Sequence, residues 1–221
     1  MQIIIHNVLD TYQIEALTSL LEASHLYEDG RNTAGNTAKS VKNNWQAKQG
    51  SLEIKGAQKT IELALRKHPL LVAAAIPLNF TNALMSCYTE NMQYGSHIDN
   101  PFIDNVRTDL SYTLFLSKPE NYEGGELVLQ KPSGDEYIKL PQGSLILYAS
   151  THLHRVAEVT SGKRLAAVGW IQSRIKSPEA REILFDLSKC LAELNNTPEH
   201  HKTRLSLQKI KANLTRMWDE T

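Results

Sequence analysis

Between Pro77 and Ser177 the chain breaks into seven short apolar runs, at 79–89, 108–117, 126–130, 135–140, 144–149, 153–159 and 164–173. Gly, Pro, Asn and Asp separate them. Runs of this length suit strands better than helices, and so many in succession point to a sandwich or barrel. Helical patterns flank them. Asp10, with Gln13 three residues on, reads as a capping box opening a helix whose apolar face is Ile14, Leu17, Leu20 and Leu21. A second helix at 52–67 stops before Pro69. Downstream, Ser177-Pro178-Glu179 gives an N-cap, a first-turn proline and a first-turn acid. Ile183, Leu184, Leu187, Leu191 and Leu194 follow as a helical stripe, and a last helix at about 202–218 carries Leu207, Ile210, Leu214 and Trp218. The order predicts an α+β fold with a mainly β core. The expected core is a jelly roll, or double-stranded β-helix, with N-terminal helices and a C-terminal helical extension. We expect residues 1–177 to form the main domain, with the core at about 79–175, and 178–221 to form the extension. The leucine stripes of that extension need a partner, either the core or a second subunit, so a homodimer through the C-terminal helices is one expectation.

Charge and cysteine content narrow the function. The 24 basic and 24 acidic side chains cancel, which argues against a general polyanion binder, so no nucleic-acid partner is expected. Two cysteines, Cys87 and Cys190, cannot form a disulfide framework or a cysteine-rich zinc site. The N-terminus lacks a basic start and a long apolar run, and the apolar stretch 70–78 contains Pro77 and is too short for a bilayer. A reduced, cytoplasmic setting with no membrane partner is expected.

The chemistry concentrates in two places. In Tyr94-Gly-Ser-His97-Ile-Asp99, an imidazole and a carboxylate two residues apart on an extended segment point to one side and can share a cation. In Thr151-His152-Leu-His154-Arg-Val, two more histidines share a face, and either can supply a third ligand. Two histidines and one carboxylate make a facial triad that leaves open positions on Fe(II) for a co-substrate and dioxygen. A turn at 160–162 would pair 153–159 with 164–173. Arg164 would then stand opposite Glu158, on the His154 side and roughly 13 Å along the strand, where its planar fork suits a carboxylate. A cupin-like metal site on His152, His154 and Glu158 is the rival pattern, belonging to a non-catalytic, iron-sensing or metal-binding protein. It leaves His97 and Asp99 without a role.

Taken together, His97-x-Asp99, His154 and Gly162-Lys-Arg164 resemble the motifs of the Fe(II)/2-oxoglutarate-dependent dioxygenases. Cys87-Tyr88, Gly124-Gly125-Glu126-Leu127 and the run 108–116 resemble the prolyl-4-hydroxylase branch, and Leu153-His154-Arg-Val with the helical tail resembles its bacterial PKHD-type hydroxylases. The resemblance covers nearly the whole chain. It implies a hydroxylase that couples oxidative decarboxylation of 2-oxoglutarate to hydroxylation of a substrate by O2. It selects His154 over His152 as the ligand, giving His97, Asp99 and His154 as metal and catalytic residues. It assigns Arg164 and Tyr88 to 2-oxoglutarate, and implies L-ascorbate as a reductant and a link to iron homeostasis. The sequence does not reveal the hydroxylated substrate: a prolyl residue, a free amino acid and a siderophore-like molecule are all open. The polar loop 28–50, with Arg31 and Trp45, and the segment 100–107, with Phe102 and Arg107, are the expected recognition elements.

Overall fold

The computed structural model describes residues 1–33, 35–194 and 197–219. Strand β1 (Gln2–Ile5) leads into helix α1 (Thr11–Leu21). Asp10 opens that helix as its sequence requires: its side chain accepts from the Gln13 N–H at 2.8 Å, and Gln13 Oε1 accepts from the Asp10 N–H at 3.0 Å. The stretch 28–50 is more ordered than a plain loop. It contributes β2 (Tyr27–Asp29), the single-turn α2 (Asn36–Lys39), β3 (Lys42–Asn43) and β4 (Trp45–Ala47). Helix α3 (Leu52–Lys67), capped by Ser51, is followed by α4 (Pro69–Ala75), which absorbs much of the apolar stretch 70–78 and ends on left-handed Ile76.

The strand region then runs β5 (Pro77–Phe80), β6 (Leu84–Tyr88), β7 (Met92–His97), β8 (Phe102–Ile103), β9 (Val106–Arg107) and β10 (Leu110–Phe115). It continues through β11 (Tyr122–Gly124), β12 (Leu127–Lys131), β13 (Gly134–Ile138), β14 (Leu145–Ala149), β15 (His154–Gly162) and β16 (Arg164–Ser173). Helices α5 (Pro178–Glu193) and α6 (His201–Trp218) close the described chain.

The strands form two main antiparallel sheets. The major sheet has the order β1-β14-β10-β16-β6-β4-β2, with β5 also on β16. The minor sheet is β13-β12-β15-β7-β3, with β11 on β15. Alternation along each strand decides which side chain goes where. On β10 and β14, Leu110, Tyr112, Leu114, Leu145 and Leu147 join Leu17, Leu21, Ile54, Ile61, Leu65, Leu71 and Phe185 in the core under the helices. Their neighbours Phe115, Ile146 and Tyr148 point the other way and meet Leu127, Leu129 and Ile138 of the minor sheet. Each such side chain contributes about 1.5–3 kcal/mol by leaving water. The result is a helix layer, a major sheet and a minor sheet, as expected for a jelly roll.

Three expectations need correction. The run 79–89 is two strands, because Thr81 turns inward to accept the Trp170 N–H at 3.0 Å. The run 153–173 is not a hairpin. β15 lies in the minor sheet and β16 in the major one, so the chain crosses between layers at Gly162-Lys163. Gly162 is left-handed (φ 78°), and a Cβ there would meet the Asn121 carbonyl oxygen at 2.1 Å, so only glycine makes this crossing without strain. In α5, Ile183 is 46% exposed while Phe185 is buried, because the buried face is set by Ala180, Arg181 and Leu184. The tail packs on the core: Leu214 and Trp218 of α6 meet Ile175, Ala180 and Leu184.

Candidate active site

β7 and β15 are neighbours in the minor sheet, and His97 and His154 are direct register partners. Side chains paired in this way project from the same face. The two imidazole centroids lie 4.2 Å apart. Asp99 follows the end of β7, and its Oδ1 lies 3.8 Å from His154 Nε2. One donor atom from each of the three residues falls within 4.8 Å of the other two. The structure thus brings the sequence-predicted triad together.

The surroundings fix the donor atoms. His97 Nδ1 lies 2.8 Å from the Gly95 carbonyl oxygen, and His154 Nδ1 lies 3.0 Å from that of His152. A carbonyl accepts only, so each Nδ1 carries the proton and each Nε2 keeps its lone pair for a metal. Burial, with His154 close by, lowers the His97 imidazolium to about 4, so this ring is neutral at neutral pH. Tyr94 stacks on it at 3.7 Å. Asp99 is held from the opposite sheet, where Ser111 of β10 donates to Oδ2 at 2.6 Å and lies 2.7 Å from Ser150 Oγ.

His152 is outside the triad. It precedes β15 in a turn, so the shared-face argument from strand parity does not reach it. Its contribution is the carbonyl that orients His154.

Arg164 opens β16 on the inner face and is 1% exposed. Its guanidinium lies 5.2 Å from the Tyr88 ring, its register partner on β6, and 5.6 Å from the Phe115 ring. Gly125 makes room for the stem: a Cβ there would sit 3.0 Å from Arg164 Cδ. Nε and Nη2 have no hydrogen-bond partner, and among the described residues no carboxylate pairs with Arg164. A buried cation left in this way marks a place for an anion. Burial pushes the Tyr88 hydroxyl up to about 12, which keeps it a proton donor at neutral pH.

One cavity between the sheets joins these groups. His97, Asp99 and His154 line it with Arg164, Tyr88 and Tyr148, and Thr33, Gly35, Ala38, Asn100 and Ile103 are part of its wall. The expected recognition segments therefore do reach the cavity, through other residues. Arg31 is exposed and paired with Asp29, and Arg107 is bound to Asp109 and to the Ser173 carbonyl. Trp45 and Phe102 are exposed and do not line the cavity. Sequence reasoning missed Lys42, Gln46 and Ser111. The signal was polar residues at alternating positions: Lys42, Asn44 and Gln46 in one segment, Ser111 and Thr113 in another.

This constellation is that of a non-haem iron oxygenase, and comparison with known proteins agrees. Residues 83–172 match the family model described as the 2OG-Fe(II) oxygenase superfamily. A PKHD-type hydroxylase of Parvibaculum lavamentivorans is 44% identical over 98% of both chains, and one of Hyphomonas neptunium is 44% identical over 99% of both. Among solved structures, a Pseudomonas putida prolyl-4-hydroxylase shares the fold at 19% identity and a TM-score of 0.54, covering 78% of this chain and 92% of that one. A Trichoplax adhaerens prolyl hydroxylase shares it at 20% identity and a TM-score of 0.58, covering 85% and 86%. The chain belongs to the PKHD-type hydroxylases of the 2OG-Fe(II) oxygenase superfamily. It is accordingly an Fe(II)- and 2-oxoglutarate-dependent dioxygenase, with 2-oxoglutarate and O2 as co-substrates. No helix of the described residues is long and apolar enough to cross a membrane.

Proposed function

We propose that His97, Asp99 and His154 hold the iron of this oxygenase, and that Arg164 and Tyr88 receive the distal carboxylate of 2-oxoglutarate. The observation that carries this reading is the buried guanidinium of Arg164, which has no carboxylate partner among the described residues, in the cavity that the triad lines. The donor set fits Fe(II): two neutral imidazoles and one carboxylate, with positions left open. Iron bound there supplies the coupling between decarboxylation of 2-oxoglutarate and hydroxylation of a substrate C–H bond.

The protein's own contribution is positional. The Gly95 and His152 carbonyls fix both imidazoles, Ser111 fixes the carboxylate, and Tyr88 and Phe115 shield the guanidinium from water. Shielding strengthens the attraction between Arg164 and an entering carboxylate. The test compares His154→Ala with Arg164→Ala for iron content and 2-oxoglutarate saturation. Loss of iron in the first and loss of saturation with iron retained in the second support the assignment. The reverse pattern rejects it.

Three further readings belong with this proposal. Residues 178–221 act as an extension of the 1–177 domain rather than an independent unit, supported by the seat of Phe185 in the main core. α6 carries exposed Leu205, Ile210 and Met217, apolar surface that a second copy would cover in a homodimer, which sedimentation equilibrium tests. A cytoplasmic location is supported by two free cysteines, one of them buried.

A further inference from the structure

The segment formed by β3 and β4 turns three polar side chains inward. Lys42, Asn44 and Gln46 are 7%, 3% and 1% exposed. Lys42 and Gln46 line the same cavity as the metal triad. The Lys42 ammonium donates to Thr33 Oγ1 at 2.9 Å and reaches Gln46 Oε1 at 3.5 Å. Gln46 is itself anchored, donating from Nε2 to the Met85 carbonyl at 2.6 Å. Both partners of Lys42 are neutral, and among the described residues no carboxylate lies in ion-pair range of it. Asp29, whose charge acts on Lys42, is exposed and committed to Arg31.

The ammonium also sits close to the chemistry. It lies 5.1 Å from the centroid of the Tyr94 ring, and Tyr94 stacks on His97 at 3.7 Å. One aromatic ring therefore separates Lys42 from a metal-ligand side chain. Burial lowers the Lys42 ammonium to about 8, so the group is still mostly charged at neutral pH.

Charge counting then points to a ligand. On the reading proposed above, which this inference extends, Fe(II), Asp99, Arg164 and doubly charged 2-oxoglutarate sum to zero. Lys42 remains as a single buried positive charge with neutral partners. Such a charge is expensive unless an anion meets it. We propose that Lys42 anchors a carboxylate of the hydroxylation substrate, so that the substrate class is a carboxylic acid. One ammonium with hydroxyl and amide neighbours matches a monovalent anion. A phosphate, carrying nearly two charges, would leave one unbalanced, and among the described residues the one arginine that lines the cavity is Arg164, already assigned to 2-oxoglutarate.

The experiment uses the full chain loaded with Zn(II), which is diamagnetic and redox-inert, and with 2-oxoglutarate. The Lys42 Cε resonance is followed by NMR while acetate or its neutral analogue acetamide is added. The expected result is a saturable shift with acetate and none with acetamide. Followed through the Thr33 and Gln46 amide resonances, which every variant keeps, Lys42→Met should weaken acetate binding about tenfold or more, and Lys42→Arg should retain it. If Lys42→Met does not fold, the contrast between acetate and acetamide in the wild type and in Lys42→Arg still decides. Equal responses to the two probes, no saturable response to acetate, or preference for inorganic phosphate overturns the proposal. So does a loss of 2-oxoglutarate affinity in Lys42→Met matching that in Arg164→Met, which would make Lys42 a co-substrate contact. The loading step separates the two readings: if 2-oxoglutarate fails to perturb Arg164 and Tyr88 resonances, the assignment of Arg164 falls, whatever acetate does at Lys42.

Discussion

Replacing Arg164 with Met should separate co-substrate affinity from stability. In the ligand-free protein the Arg164 guanidinium is buried, and its Nε and Nη2 lack partners. Met keeps most of the stem that packs near Gly125 and removes the unpaired charge. Substituting buried ionic groups by apolar ones of similar volume is often neutral or gains about 1–4 kcal/mol. Against that stands the loss of two cation–π contacts, to Tyr88 and Phe115, each worth about 0.5–2 kcal/mol. The net expectation runs from a loss of about 4 kcal/mol to a gain of about 3 kcal/mol. Affinity for 2-oxoglutarate should fall by about 2–5 kcal/mol, because its distal carboxylate would enter an apolar hole. That is roughly thirty- to several-thousand-fold. Thermal melts of the Mn(II)-loaded protein, with and without 2-oxoglutarate, read both quantities. The ligand-induced increment should collapse whichever way the ligand-free melting temperature moves within that range. A variant that keeps its increment, or that loses well over about 4 kcal/mol without ligand, refutes the reasoning: Arg164 would then be a structural cation with satisfied partners.

Three other outcomes are expected. His154→Ala should abolish metal-dependent succinate formation at every 2-oxoglutarate concentration, since the loss lies at the metal and saturation cannot restore it; succinate production at high 2-oxoglutarate would contradict this. Ser111→Ala removes the 2.6 Å hydrogen bond to Asp99 Oδ2 and should weaken metal binding about 10–100-fold with the fold intact, checked by metal titration beside circular dichroism. For the metal-free protein, the His97 value of about 4 lies below the ordinary 6.5, so the unfolded chain takes up this proton first. Stability should be fully present above about pH 6.5, fall as pH drops toward 4, and lose up to about 3 kcal/mol, and His97→Phe should flatten that part of the melting curve against pH.

Local signals in the sequence located most elements. The Asp10 capping box, the Ser51-to-Lys67 helix and the Ser177-Pro178 start are set by nearby residues, and each is found in place. β7 was legible only in part. His97 and Asp99 stood out, but Met92-Gln-Tyr-Gly-Ser is too polar to read as a strand, because its inner face lines a cavity rather than a core. The crossover at Gly162-Lys163 was misread because a glycine between two apolar runs signals a turn equally well in a hairpin and between layers. Sheet membership is a long-range property. β16 is chosen by β6 and β10, whose paired residues lie 51 to 84 positions away in sequence. Arg164 kept its inward aim under either topology, which is why the expectation for this residue outlived the hairpin that suggested it. Lys42 was hidden for a different reason: in a lysine-rich loop, nothing local distinguishes the one ammonium that burial selects.

The passage of the chain from one layer to the other at Gly162-Lys163 has a mechanical consequence. At one end of the sandwich, Phe115, Leu129, Ile138 and Ile146 weld the two sheets together. At the cavity end the space between them is lined instead by a triad on the minor-sheet side and a guanidinium on the major sheet. A co-substrate tied to both is a cross-brace, filling the part of the interior that the protein's own side chains leave open. Hydrogen exchange along β6, β7 and the first residues of β15 and β16 should therefore slow when 2-oxoglutarate and metal bind together, while the welded end stays as it was.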